Sequence, residues 1–485
     1  MRIKLLPLMF TTLLAGCTVG PDYVKPSLPA ASTWHQQDAL DHRVAEAPAP
    51  GLEAWWHGFD DPELSTIIGR VLEQNLDLAA SAARVQQASA AAQHAHADRL
   101  PEGSLDANAA RLRQSERSPL GKLASATPNY DRNQTYEDAG VGASWELDLA
   151  GGLRRGDEAA NAAWQAAEAT HAGVRITLAA EAADAYFRVR GAQARIAIAN
   201  EQIQNEQGLV DLVRLRFLHG LGTEREVAQS EALLLQAQGT VPPLQAELDT
   251  QLNRLDVLMG AAPGTYAREI ASAPAGFHIP SVAGAGGPAS LLRRRPDVIA
   301  AERTLAASNA RIGVALAQYY PQVSLSGLLG FASLDSGKLF TGSALQSQGA
   351  LGLHWRLFDF GRVDAEVKQA RGANAEALAT YRGSMLKATE DVENAIVALT
   401  QLEAQHAVLE NEVAAHTRAR DAAQDAYKGG AVSLLEVLDE DRQLLASRDL
   451  LARVRADDAR AAVSAFRALG GGWDVPADKV ADVSR

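Results

Sequence analysis

Val141-Gly142-Ala143-Ser144-Trp145-Glu146-Leu147-Asp148-Leu149 alternates an apolar residue with a small or polar one at every step. Period two marks an extended strand with one apolar face. Gly142-x-x-Trp145-x-Leu147-x-x-x-Gly151 returns as Gly352-x-x-Trp355-x-Leu357-x-x-x-Gly361, an offset of 210 residues (355 − 145). Upstream, Leu105, Ala107 and Ala109 alternate with Ser104, Asp106 and Asn108. Val323, Leu325, Leu329 and Phe331 form the corresponding arm of the second half, and Leu351, Leu353, Trp355 and Leu357 its partner. Each half thus carries a hairpin whose arms are about ten residues long, enough for a tilted strand to cross a bilayer. Trp145 and Trp355 fall near one end of their arms, where a membrane barrel places its aromatic girdle. A hairpin of a soluble sandwich alternates in the same way, so the hairpins alone leave both readings open.

The repeat extends well beyond the hairpins. Asp77 to Leu105 lies on Asp297 to Leu325 at an offset of 220 (297 − 77), with Pro101 on Pro321 and Ser104 on Ser324. Gly220 pairs with Gly430, and Glu226-Val227 with Glu436-Val437, at 210. The drop of ten places a longer loop in the first half, around Ser115 to Tyr136. The halves divide as residues 61–260 and 290–472, joined by an irregular Gly/Pro-rich linker over 261–289. A segment of 17–60 precedes them and a tail of 473–485 follows.

Around each hairpin the pattern is helical. Pro62 to Arg99 is alanine-rich, with Asp60 or Asp61 as its cap and Pro62 in its first turn. Arg154 to His219 and Val363 to Lys428 contain no proline, and each predicts a helix of roughly 100 Å. Glycine turns follow, and Thr223 to Met259 and Ser433 to Leu469 return. Thr223 with Glu226, and Ser433 with Glu436, have the capping-box spacing. Pro242-Pro243 is expected to kink or split the first returning helix.

The N-terminus is an export signal over residues 1–16: Arg2 and Lys4, an apolar run from Leu5 to Leu14, then Ala15-Gly16. Cys17, the single cysteine, follows directly. Leu14-Ala15-Gly16-Cys17 resembles a bacterial lipobox, so Cys17 is the expected lipid anchor, and acylation by two or more chains holds a protein stably on a bilayer. Thr18, rather than Asp, follows it, which in enteric-type lipoproteins favours the outer membrane.

A net charge of −13 argues against nucleic acid as a partner. Mean hydropathy of −0.13 excludes a bundle of membrane helices, though not a barrel. Four strands cannot close a barrel, and an open edge cannot face lipid. Strands that cross the membrane must therefore be pooled between chains, two chains giving eight and three giving twelve. Helices of such length exceed the bilayer and must project from it.

Six motifs stand in order: Cys17-Thr18-Val19-Gly20-Pro21-Asp22-Tyr23-x-x-Pro26; Trp55-Trp56-x-x-Phe59-x-Asp61-Pro62-x-Leu64; Leu291-Leu292-Arg293-Arg294-Arg295-Pro296-Asp297; Asn309-Ala310-Arg311-Ile312-Gly313; Tyr427-x-x-Gly430-x-x-Ser433-x-x-Glu436-Val437-Leu438-Asp439; and Ala468-Leu469-Gly470-Gly471-Gly472-Trp473. Together they resemble the TolC-like outer-membrane efflux channels, in their lipoprotein branch, over nearly the whole mature chain. The resemblance implies an α+β membrane protein. Its four strands per chain would pool into a twelve-stranded trimeric β-barrel, above a long α-helical coiled-coil barrel. It further implies a homotrimer in outer membrane lipid that works with a periplasmic adaptor protein and an inner-membrane pump. Such a channel exports small molecules passively, needs no cofactor and is not an enzyme.

Glu436 and Asp439 match the family's acidic aperture positions, one turn apart on a helical face. Threefold repetition would make each a ring of carboxylates able to select cations. Glu226 is the first-half counterpart of Glu436, and Gln229 stands opposite Asp439. A capping role for Glu436 and a solvated charge run at Asp439-Glu440-Asp441 are the competing readings. For Tyr427 and Arg216 the resemblance implies interprotomer contacts that hold the aperture shut; interhelical packing and a surface charge are the plainer readings. The turns with Gly220, Thr223, Gly430 and Ser433 are expected to meet the adaptor, although turn chemistry alone would account for their glycines. His94-x-His96 points to different helix faces and predicts no metal site. Met259 and Met385, the only methionines outside the signal, argue against a soft-ligand path for copper. No Ser-His-Asp set, P-loop or dinucleotide motif is present. The alternative function is a periplasmic coiled-coil scaffold or adaptor lipoprotein, which would not need four amphipathic arms.

Overall fold

The computed structural model describes residues 18–26, 33–38, 50–128, 130–270, 277–282, 288, 291 and 294–473. The signal peptide, Cys17 and the tail after Trp473 lie outside the described residues. Two compact units emerge, one of Met1–Pro26, Val85–Ala167 and Ala301–Tyr381, the other of Ser27–Arg84, Glu168–Ala300 and Arg382–Arg485. Each draws on both sequence halves.

The elements run α1 (Pro62–Gln74), α2 (Leu76–Ala97), β1 (Glu102–Arg113), α3 (Pro119–Ala124), β2 (Asn133–Leu147), α4 (Gly152–Leu218), α5 (Glu224–Leu258), α6 (Ala267–Ile270), α7 (Pro296–Ala317), β3 (Gln322–Ser333), β4 (Leu345–His354), α8 (Arg362–Lys428) and α9 (Leu434–Ala468). α4 and α8 have 67 residues each, α5 and α9 have 35 each. No helix among the described residues is long and apolar enough to cross a membrane.

The first unit carries the strands as one antiparallel sheet in the order β1-β2-β3-β4. Paired residues share a face, so the register sorts the side chains. Leu105, Val141 and Leu329 align across three strands, as do Trp145, Leu325 and Leu351, and Leu147, Val323 and Leu353. One step along, Ser104, Gly142 and Leu328 align, then Asp106, Gly140, Gly330 and Gln346. One face is largely apolar, with Ser347 beside Leu329 and Glu137 beside Ala109; the other is mostly Ser, Gly, Asp, Asn and Gln, with Leu112, Tyr136 and Leu328 as exceptions. Both lie open in the single chain: Leu105 is 78% and Leu351 72% exposed.

Trp145 Nε1 donates to the Arg99 carbonyl at 3.0 Å, and Trp355 Nε1 to the Tyr319 carbonyl at 2.9 Å. Both sequence offsets, 210 between the tryptophans and 220 between the carbonyls, meet in one repeated strut. In the same unit the segment after Cys17 is fastened down. Asn309 donates to the Pro21 carbonyl, and Tyr23 to Glu302. Arg155 holds the Val19 and Gly20 carbonyls and the Asp22 carboxylate. A Cβ on Gly20 would come within 2.6 Å of Gly313 Cα. The Asn309 to Gly313 motif thus serves as the bed of the N-terminal motif.

In the second unit Trp55 is fully buried and stacks on Phe466 at 5.5 Å, with Trp56 and Phe59 edge-on to it. Gly472 N donates to the Leu52 carbonyl at 2.7 Å. Arg294 and Arg295 donate to the carbonyls of Gly470 and Ala468, which ties the triple-arginine motif to the end of α9.

Two expectations need correction. The segment from Pro62 to Arg99 is two helices, because the Asn75 side chain accepts from the Asp77 and Leu78 amides and caps α2 afresh. Asp61, not Asp60, caps α1 through the Glu63 and Leu64 amides. Pro242-Pro243 does not break α5, which is continuous from Glu224 to Leu258. Both prolines are exposed, so the carbonyls they leave without amide donors can turn to water, and buried Ala237 and Leu244 hold the flanking turns.

Candidate aperture and membrane face

At the end of α4, Gly220 takes a φ of 74°, and at the end of α8 Gly430 does the same. A side chain there would be strained, which accounts for glycine at both. The Leu221 amide donates to the Arg216 carbonyl and the Ala431 amide to the Ala426 carbonyl, each at 2.8 Å. These are matched Schellman turns. Immediately afterwards the Thr223 amide donates to Glu226 Oε2 at 2.7 Å, and the Glu226 amide to Thr223 Oγ1 at 3.3 Å. The Ser433 amide meets Glu436 Oε1 at 3.4 Å. Each reversal is therefore closed from both sides by local bonds.

A small core backs the turns. Val213, Tyr427, Leu434, Val437 and Leu438 are buried together, drawn from α4, α8 and α9. The Arg216 guanidinium lies 4.7 Å from the Tyr427 ring centroid, so the two residues act as one cation–π contact between α4 and α8. Burial pushes the Tyr427 phenol up. The Thr223 amide holds the Glu226 carboxyl below the ordinary carboxylate range. Asp439 is also engaged, accepting from Arg442 at 2.8 Å and from Gln443 at 2.9 Å. Glu436 sits in its capping box, so the two acids are not equivalent. Leu221 is 69% and Leu435 63% exposed beside the turns.

The sequence reading missed one group here. Glu206 of α4 is 4% exposed, one carboxylate oxygen accepts from Gln202 at 2.5 Å, and the other has no partner. Burial first, and the Asp441 charge second, push its carboxyl up to about 7. Asp441 of α9 is raised by burial too, with Arg420 of α8 at 3.5 Å opposing the shift. His94 and His96 lie beside Asp98 and Asp157 respectively, in separate pairs.

On the sheet, the apolar column of β2 runs from Leu147 to Ala139. At about 3.3 Å per residue and a tilt of about 40°, it spans a height of roughly 20 Å, close to the apolar band of a membrane barrel. Trp145 and Trp355, 36% and 51% exposed, stand at its helix-proximal edge.

An amphipathic sheet with two open edges, joined to helices far too long for a bilayer, defines a membrane-channel subunit whose barrel is shared. The model of the outer membrane efflux proteins matches residues 67–261 and 287–471, and the chain belongs to that family. It is 34% identical over 480 residues, 97% of each chain, to the pyoverdine export outer membrane protein OpmQ of Pseudomonas putida. To the cation efflux system protein CusC of Escherichia coli K12 it is 28% identical over 471 residues, 97% of this chain and 99% of the other. The solved outer-membrane channel OprN superposes with a TM-score of 0.85 at 33% identity, covering 94% of this chain and all of that one. The protein is an outer-membrane efflux channel, and the scaffold alternative falls away.

Proposed function

We propose that three copies pool their sheets into a twelve-stranded barrel through which small molecules leave passively, without catalysis by this chain. The observation that carries this is the sheet itself, with β1 and β4 unpaired on their outer sides among the described residues and one face largely apolar. In lipid those edges demand partners; eight strands are just filled by side chains, whereas a larger barrel leaves a water channel. The Ser, Asp, Asn and Gln face then lines the lumen. Trp145 and Trp355 serve as the girdle nearest the periplasm.

Cys17 is the proposed lipid anchor, and its surroundings suit that role. The Val19 amide donates to the Ala150 carbonyl at 3.0 Å, and a Cβ on Gly151 would come within 2.4 Å of Thr18. Thr18 and Val19, the first described residues, are thus held beside the helix-proximal end of β2. Cys17→Ala is expected to abolish lipidation and leave detergent-dependent membrane insertion largely intact. Its recovery as a water-soluble protein would defeat the shared barrel.

The turns at Gly220–Thr223 and Gly430–Ser433 are the proposed contacts with a periplasmic adaptor, itself coupled to an inner-membrane pump. Arg216 and Tyr427 hold the periplasmic aperture closed, and Glu436, Asp439 and, more weakly, Glu226 set its charge. A capping box accepts Gln as readily as Glu, so Glu436→Gln with Asp439→Asn removes charge while sparing the helix start. In planar bilayers this double variant should lose cation selectivity, and Arg216→Ala should raise conductance severalfold. Unchanged selectivity and conductance in both would return these residues to capping and packing. As for cargo, pyoverdine and cations are what the relatives' names carry. Met259 is fully buried in the core, and small molecules, drugs or other toxic compounds, are the cargo class we propose.

A further inference from the structure

The loop between β1 and β2 is longer than that between β3 and β4, and its chemistry differs. From Arg111 to Arg132 five cations face two carboxylates, in a chain whose net charge is −13. Arg132 is paired with Glu116. Among the described residues, no ion pair engages Arg111, Arg113, Arg117 or Lys122, and all four are exposed. Arg111 and Arg113 pair with Thr135 and Asn133 in the register that places Leu105 opposite Val141. They therefore continue the apolar, lipid-facing column of β1 beyond Ala109, at the end away from the long helices. The loop is also shaped. Ser118 caps α3 by accepting from the Gly121 amide at 3.1 Å, and a Cβ on Gly121 would lie 1.8 Å from the Ser115 carbonyl oxygen. This packing leaves Leu120 and Leu123, three residues apart, each 75% exposed. The repeat supplies an internal control. The loop between β3 and β4 carries a single cation, Lys338, which is paired with Asp335 at 3.1 Å.

We propose that this loop is a docking surface for the phosphorylated glycolipid of the outer leaflet. Arg111, Arg113, Arg117 and Lys122 meet its phosphates, and Leu120 and Leu123 meet the acyl boundary. The proposal rests on the barrel reading, because that reading turns the apolar column outward and the loop to the cell surface. Continuity with that lipid-facing column and charge complementarity to lipid phosphate both select a lipid occupant. Cations at an anionic lipid surface contribute individually modest, additive attraction that salt screens, so four unpaired ones form a usable site and one paired lysine does not.

The test uses the full-length channel purified in mild detergent and titrated with rough lipopolysaccharide, either phosphorylated or enzymatically dephosphorylated. Wild-type protein should bind the phosphorylated form about tenfold more tightly or better. The quadruple variant Arg111→Gln, Arg113→Gln, Arg117→Gln, Lys122→Gln should lose that preference, and Lys338→Gln should keep it. Equal binding of the two lipids by the wild type, which requires no variant to fold, would overturn the proposal. So would a preference retained in the quadruple variant, or one abolished by millimolar inorganic phosphate, which would mark a free-anion site. Bilayer conductance separates the two layers of the argument. A channel that conducts but shows no phosphate preference removes the lipid site alone, whereas a wild-type protein that neither conducts nor needs detergent to stay in solution removes the barrel and this proposal with it.

Discussion

Gly330→Val will abolish the folded channel. In the register of β2 and β3, Gly330 sits opposite Gly140 on the polar face. A Cβ at Gly330 would stand 2.5 Å from Gly140 Cα and 2.6 Å from the Ala139 carbonyl oxygen. Both are backbone atoms, so no rotamer change relieves the contact, and the strands must part. That seam joins the two hairpins. Parting it strands amides and carbonyls at membrane depth, where each unsatisfied group costs several kcal/mol. Gly327→Ala is the matched control: its Cβ would find nothing nearer than the Gln348 carbonyl oxygen at 3.9 Å, and it should assemble normally. Heat-modifiable electrophoresis of outer-membrane extracts, with bilayer conductance alongside, reads the difference. A Gly330→Val protein that conducts like the wild type would mean that the close approach of β2 and β3 is dispensable to the channel.

Much of this architecture was written in local patterns. Alternation at Val141 to Leu149 located a strand because a one-residue slip would reverse its faces, and the observed register puts Val141, Leu329 and Leu105 together. The capping spacings at Thr223–Glu226 and Ser433–Glu436 were legible because a helix start is satisfied within four residues. What escaped depended on partners far along the chain. Asn75 inside an alanine-rich run resembles a tolerated helical residue; its side-chain amide also donates to the Leu258 carbonyl, a contact no window around position 75 can contain. Pro242-Pro243 signalled a break that solvent exposure and flanking burial cancel. The six motifs were recognisable as a set, but their tasks were not. Only the folded chain shows Asn309 serving Pro21, Arg294 serving Gly470, and Trp55 lying against Phe466. Arg216 and Tyr427 both stand out in the sequence as aperture residues, but that they meet each other within one chain was not legible, because they lie on different helices more than two hundred residues apart.

Glu206 is the strongest such case, and it carries the largest pH effect expected of the helical region. Gln202-x-x-x-Glu206 reads as a solvated helix face, yet Asp441, more than two hundred residues away, faces it from α9. With its carboxyl raised from 4.5 to about 7, the folded state binds a proton that the unfolded state has released. Stability from this group is therefore complete below about pH 4.5 and is lost as the pH rises to about 7. A shift of that size corresponds to about 3 kcal/mol. Glu206→Gln keeps the shape, retains a bond with Gln202 and cannot ionise. It should match the wild type near pH 4.5 and exceed its stability by up to about 3 kcal/mol at pH 8. Glu206→Ala should destabilise at both, because it also leaves a cavity. Thermal unfolding of the detergent-solubilised protein, followed by helical circular dichroism at the two pH values, decides the matter. An advantage of Glu206→Gln that is the same at both would show that the folded bundle does not raise the Glu206 carboxyl, and would overturn this reading. The position of this carboxyl pair, Glu206 about four turns before the Gly220 reversal and Asp441 about two turns after Ser433, makes the outcome bear on the aperture as well. A bundle end that tightens on protonation should open less readily in acid, and the Gln variant should hold it in that tightened state at neutral pH.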